Sequence, residues 1–356
     1  MGLPWGQQGS KGNRERPALA ANSRVVETVT VSEVTACPVC GEDLTQSHCH
    51  GQERRTRIDI VFEKVVEHVD AQIKSCPSCD AEVNGAFPAD MPGPLQYGNG
   101  LKAYCINLLI CQMVALNRVQ KSVKAMIGVV ISEATLLKFV LRLHQALAGW
   151  EQVVTEQLLN SPAMNVDETS LRVDKKNHWI HVYSAGDITL KHLHRRRGKE
   201  AMQSINIIPR YGGVIIHDCW SSYLSYTHCA HGLCGSHLLR ELTFIVDANG
   251  YRWVGNVGKW PSWMPTTCGS GSRRMRRLFC YLPKTATYHS TNNRAERDLR
   301  MSKVKQKVSG CFRNEQYAHA YCRISSYLQA MANKGHNPLI AIQIALAENA
   351  AAEWGE

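Results

Sequence analysis

No apolar run in this chain of 356 residues reaches the roughly eighteen residues that a membrane-crossing helix needs. The N-terminus also lacks the apolar stretch of an export signal, so a soluble, cytoplasmic protein is expected, with no membrane partner. Acid is scarce. Asp and Glu total 30 against 41 Lys and Arg, for a net charge of +11 and a pI near 9.0. That imbalance says nothing of fold, but it points to a polyanionic partner, nucleic acid first. Cysteine, by contrast, is abundant at 14. Scattered spacing in a long chain argues against a disulfide scaffold and for reduced thiols, some of them metal ligands.

Residues 1–30 are rich in Gly, Gln, Ser, Asn and Arg and cannot bury enough apolar surface to order themselves, so a flexible basic arm is expected. Residues 31–86 carry Cys37-Pro38-Val39-Cys40 and, after 35 intervening residues, Cys76-Pro77-Ser78-Cys79. Two CxxC pairs at this spacing suit a tetrahedral structural zinc, each pair forming a knuckle whose amides face the sulfurs. Four thiolates leave no open position for catalysis. His48, Cys49 or His50 could replace one ligand. Between the knuckles Ile58, Ile60, Phe62, Val65, Val66 and Val69 alternate among charges, as strands stapled by the metal would. A zinc ribbon is the expectation.

The Pro-rich stretch 87–94 reads as a hinge. In residues 95–150 apolar positions recur at three and four, as in Leu136, Phe139, Val140, Leu143 and Leu147, with Ser132 placed to cap a helix after a turn at Gly128. Helix, turn and helix could read DNA, with Arg118, Lys121 and Lys124 near phosphates, or simply pack a core. From residue 160 the period changes. Strands are predicted at 163–168, 178–185 and 189–194, a helix at 198–205 and an apolar strand at 213–217.

In that order Asp167 and Asp218 both fall at strand ends, and adjacent parallel strands would bring them to one sheet edge. Crowded carboxylates are costly unless cations neutralise them, and a pair of divalent ions is one known solution. Glu296 is the best third ligand. It follows Asn292-Asn293, where an Asn can cap a helix, and sits among arginines suited to phosphate. Beyond Arg294 the run of Arg297, Arg300, Lys303, Lys305 and Lys307 suits contacts along a DNA backbone, or a solvated helix face. His237, Arg240 and Glu241 share one face of a predicted helix and either orient the site or form an ordinary polar face. A helix at 315–332 should pack on the sheet, and Asn337-Pro338 should open a last helix in residues 333–356.

The CPVC and CPSC knuckles, the segments MNVDET, VIIHDCW and CGSHLLREL, and the long stretch from TNNRAERDLR to ISSYLQA together resemble the transposase family of insertion sequence 66. The resemblance implies an α/β fold whose residues 160–332 form a ribonuclease-H-like core, a mixed sheet flanked by helices. It implies a DDE triad of Asp167, Asp218 and Glu296 holding magnesium or manganese, cutting transposon ends and joining them to target DNA. It implies double-stranded DNA as partner, a homo-oligomer in the active complex, accessory proteins of the same element and a place at the bacterial nucleoid.

Two departures from the family pattern stand out. An N-terminal coiled-coil segment, expected in the family, is replaced here by the glycine-bearing arm. Residues 251–290 hold no Asp or Glu, seven Lys or Arg and three Trp where a charged helical insertion is usual. A deletion or shifted reading frame explains this, as does a basic loop stacking Trp253, Trp260 and Trp263 on bases. Three functions therefore fit: an active transposase, a remnant that binds DNA without cutting it, and a zinc-containing DNA-binding regulator.

Overall fold

The computed structural model describes residues 28–237, 240, 244, 247 and 291–347. Most of the basic arm, Glu241, the segment 251–290 and residues 348–356 lie outside these described residues. The chain divides into two units, one built from the described parts of Tyr97–Ser122 and Val130–Glu356, the other containing the described part of Ala21–Gln96 with Val123–Val129.

In the smaller unit each CxxC is a tight turn. The Gly41 amide donates to the Cys37 carbonyl at 2.9 Å, with Gly41 at φ +78, and the Asp80 amide donates to that of Cys76 at 2.9 Å, with Asp80 at φ +56. The second knuckle closes a short antiparallel pair, β1 (Ile73–Ser75) and β2 (Glu82–Asn84). The strands expected around 57–69 do not form, and Ile58, Val61 and Val65 stand exposed. Alternation describes a face, and a face becomes a strand only where another strand pairs with it.

The larger unit begins with four helices where the sequence suggested a pair: α1 (Asn99–Ile110), α2 (Leu116–Ile127), α3 (Glu133–Ala146) and α4 (Ala148–Leu159). Ser132 caps α3 as expected, its hydroxyl accepting from the Thr135 amide. A meander follows: β3 (Ala163–Val173), β4 (Lys176–Ala185) and β5 (Ile188–His194). Then come α5 (Lys199–Ile205), β6 (Val214–His217), α6 (Ser221–Leu224) and β7 (Ala230–Leu233). Past residue 291 lie α7 (Asn293–Ser309), α8 (Glu315–Asn333) and α9 (Pro338–Leu346), the last capped by Asn337 as read from sequence.

The sheet order is β5-β4-β3-β6-β7, antiparallel through β5, β4 and β3 and parallel from β3 to β6 to β7. β3 runs five residues past its expected end, because Asp174 and Lys175, both at positive φ, make a two-residue turn that returns the chain as β4. Asp167 is thus mid-strand, a correction to its predicted terminal place. α7 lies against β3 and β4, and α8 against β5. The β5 edge is covered in part by α8, whose Ser326 hydroxyl accepts from the Lys191 amide at 2.8 Å. α1, α3 and α9 share a core with α8, where Trp150 meets Tyr327 edge to face at 5.1 Å. Arg323 of α8 fastens that core by donating to Glu151 at 2.6 Å.

Candidate active site

Strand register aligns three distant residues. Asn165 of β3 pairs with Ile216 of β6, and Ile216 pairs with Gly232 of β7. Two residues further along, Asp167 lies within β3 while Asp218 and Cys234 directly follow β6 and β7, and the Cys234 amide donates to the His217 carbonyl at 2.9 Å. Beyond Asp218 the chain turns at Cys219, which has φ +68, and the Asp218 carboxylate accepts the Trp220 amide at 3.2 Å.

Asp167 and its neighbour Glu168 point to opposite faces of β3 and meet opposite treatment. Glu168 is fully enclosed yet satisfied, paired with Arg197 at 2.8 Å and accepting from the Tyr223 hydroxyl. The Arg197 guanidinium also stacks over Trp220 at 4.2 Å and Trp179 at 4.9 Å, which links Glu168 to the turn after Asp218. Asp167 accepts the Glu168 amide at 2.8 Å. Burial, then the negative charge of Glu168 and, less, of Asp218, pushes its carboxyl up to about 7, with Lys303 as a minor opposing influence. His217, at the end of β6, is pushed down to about 3 by burial and then by His231, so it is neutral here.

Asn292 sets the third carboxylate. It stands at the cap position of α7 but makes no cap bond, a departure from the role read from sequence. Its amide group donates to the Val166 carbonyl at 2.8 Å and accepts from Asn165 at 3.0 Å, and its backbone N–H donates to the Cys234 sulfur at 3.1 Å. The sheet competes successfully for this side chain because a buried amide must fill both its donor and acceptor capacity. One turn on, Glu296 Oε1 lies 3.6 Å from His237 Nδ1. Sequence reading missed Asn165, Asn292 and Cys234 as site-building residues. A polar pair at Asn165 and Asn292 flanking two of the acids was the available signal.

The basic residues divide. Arg297, Arg300, Lys303 and Lys307 are exposed along α7, whereas Lys305 is half-buried with its ammonium 5.9 Å above the Phe312 ring. Arg294 is engaged internally: it lies 3.5 Å from Asp298 and donates to the Ile188 carbonyl at 3.3 Å, leaving less of it for the phosphate contact expected. Asp298 is buried and also accepts from Ser184 and Thr189, at 2.7 and 2.9 Å. Arg118, Lys121 and Lys124 are exposed on α2, and Arg240 is exposed.

In each knuckle the first thiol is lowered by facing amides, those of Cys40 and Val39 for Cys37 and of Ser78 and Cys79 for Cys76. Among the described residues, however, no three of the four thiols gather within 4.8 Å. Among the described residues no strand joins the two knuckles.

A mixed five-stranded sheet flanked by helices is compatible with the core of a DDE transposase. The comparison of sequences agrees: residues 94–260 and 261–320 match the Transposase IS66 family, and the chain belongs to that family. The match begins past the thiol knuckles and divides at 260/261, inside the unusual segment 251–290. No curated protein matches the chain. Among the described residues no helix is long and apolar enough to cross a membrane.

Proposed function

We propose that this chain binds the terminal inverted repeats of an insertion sequence and cuts and transfers DNA strands with Asp167, Asp218 and Glu296 as the ligands of divalent cations. The observation that carries the reading is the contrast at β3. Glu168 has a cation and a hydroxyl, while Asp167 is pushed up to about 7 by burial and then by the negative charges of Glu168 and Asp218. Glu296 adds a buried oxygen with no hydrogen-bond partner. Such a donor set suits magnesium or manganese, hard ions that prefer carboxylate oxygens.

When bound, the ions would lower the pKa of the attacking water or hydroxyl and stabilise the leaving oxygen of an in-line displacement. The chain's own part is positioning. β3 carries Asp167, the turn after β6 carries Asp218, and the Asn292 bonds to β3 support the start of the helix that carries Glu296. Exposed Arg297, Arg300, Lys303 and Lys307 give α7 a basic surface for the phosphates of the scissile strand. Hydrolysis frees a 3′ hydroxyl at each end, and that hydroxyl attacks target DNA with no covalent protein intermediate. We place this work in a homo-oligomer on double-stranded DNA, with accessory proteins of the same element, in the cytoplasm. Zinc at Cys37, Cys40, Cys76 and Cys79 would stabilise the smaller unit.

Purified full chain, its flanking inverted repeats and magnesium provide the test. Wild type nicks the ends, and Asp167→Asn binds them without nicking; cleavage retained by Asp167→Asn would reject the assignment. The break in the family match within 251–290 favours one other reading, a copy that binds ends and has lost cleavage. Wild type that shifts the repeats in a gel and leaves them intact would select it.

A further inference from the structure

Around Glu296 lies a cluster whose chemistry the triad does not use. The Cys234 sulfur, a His237 ring nitrogen and a Glu296 carboxylate oxygen lie within 4.8 Å of one another, and among the described residues no other trio of His, Cys, Asp or Glu does so. Cys234 is fully buried. It directly follows β7 and is followed at i+3 by His237, so one helical turn brings sulfur and imidazole to the same side. Glu296 arrives from α7, which the Asn292 amide pins to that very sulfur.

Two details favour a cation over a hydrogen-bonded pair. His237 Nδ1 and Glu296 Oε1 are buried atoms with no hydrogen-bond partner, and they face each other at 3.6 Å. That separation is too long for an N–H···O bond. It is close to the edge of a zinc tetrahedron, about 3.4 Å for metal–ligand bonds near 2.1 Å. An ion pair between a protonated His237 and Glu296 would leave the sulfur unused, whereas the N–H···S bond from Asn292 is the kind of outer contact that steadies a metal-bound thiolate. Magnesium avoids sulfur; thiolate, imidazole and carboxylate together suit zinc.

We infer that Cys234, His237 and Glu296 form a three-ligand site for a thiophilic divalent cation, zinc by fit, with a fourth position open. Because Glu296 also belongs to the acid trio, an ion here fixes that carboxylate on the β7 side and competes with magnesium for it. This second consequence rests on the proposed cleavage chemistry; the binding does not.

Cobalt(II) titration of the reduced full chain, without DNA or magnesium, tests the binding alone. Wild type should take up two equivalents with tetrahedral d–d bands and sulfur-to-cobalt absorption, one at the four knuckle thiols and one that is lost in Cys234→Ser and weakened at least about tenfold in His237→Ala. In Cys76→Ser that equivalent should persist. If Cys234→Ser fails to fold, His237→Ala with an unchanged circular dichroism spectrum decides. Equal uptake and spectra in wild type and His237→Ala, or cobalt absorption abolished by Cys76→Ser alone, would overturn the site. Failure of the cleavage reading would appear in the nicking assay and leave this titration unchanged.

Discussion

Residues 57–69 and β3 carry similar alternating sequences, RIDIVFEKVVEHV and AMNVDETSLRV, and their fates differ. In β3 Met164, Val166, Leu171 and Val173 are at most 1% exposed, while Ile58, Val61 and Val65 are 91%, 86% and 87% exposed. β3 has β4 and β6 to pair with and α7 to cover it; the segment between the knuckles has neither. An apolar face contributes stability only when another element removes it from water. The packed region can therefore hold an aspartate where its charge is disfavoured, and the unpaired region has no such support.

The largest expected effect lies in the packed region. Asp167→Asn should lower magnesium-dependent nicking by roughly a thousandfold, the several kcal/mol that a lost metal ligand withdraws from the transition state. The same change should raise the melting temperature in magnesium-free buffer at pH 8, since it removes a charge that burial opposes. A variant less stable than wild type there would mean that Asp167 is already compensated.

The pH dependence sharpens the point. Asp167 titrates near 7 in the folded chain against an ordinary 3.8, so the folded state binds the proton more tightly. Its contribution to stability is present below pH 3.8 and is lost as pH rises towards 7, by roughly 4 kcal/mol in all. Urea denaturation without magnesium should show wild type losing ground to Asp167→Asn between pH 5 and 8, and parallel curves would break the account. Referring wild type to this variant cancels His181 and His217, both lowered by burial.

Truncations compare the two regions directly. Ile180→Ala, at a fully buried site in β4, should cost about 3 kcal/mol in urea denaturation of the sheet-bearing unit. Val65→Ala, between the knuckles, should cost that unit less than about 0.5 kcal/mol. A larger loss at Val65 would show that its exposed face is covered in solution.

Much of this was legible before the fold was known. The Ser132 and Asn337 caps and the strand at 214–217 follow from residue type and spacing, which act locally. The length of β3 was not, because it depends on the Asp174-Lys175 turn, where two non-glycine residues take positive φ. Nor was the use of Asn292, since its partners Asn165 and Val166 lie more than 120 residues away and only tertiary packing decides between cap and sheet. The unpaired segment 57–69 misled for the same reason: period 2 is visible in one strand, but pairing is a property of two.

The central claim is that Asp167, Asp218 and Glu296 hold the same cations. Iron(II) exchanged for magnesium in the full chain, with peroxide and ascorbate, cuts the backbone beside its ligands. Cuts clustered near residues 167, 218 and 296 and suppressed together by excess magnesium are the result expected. Cuts confined to one of these segments, or indifferent to magnesium, would contradict it.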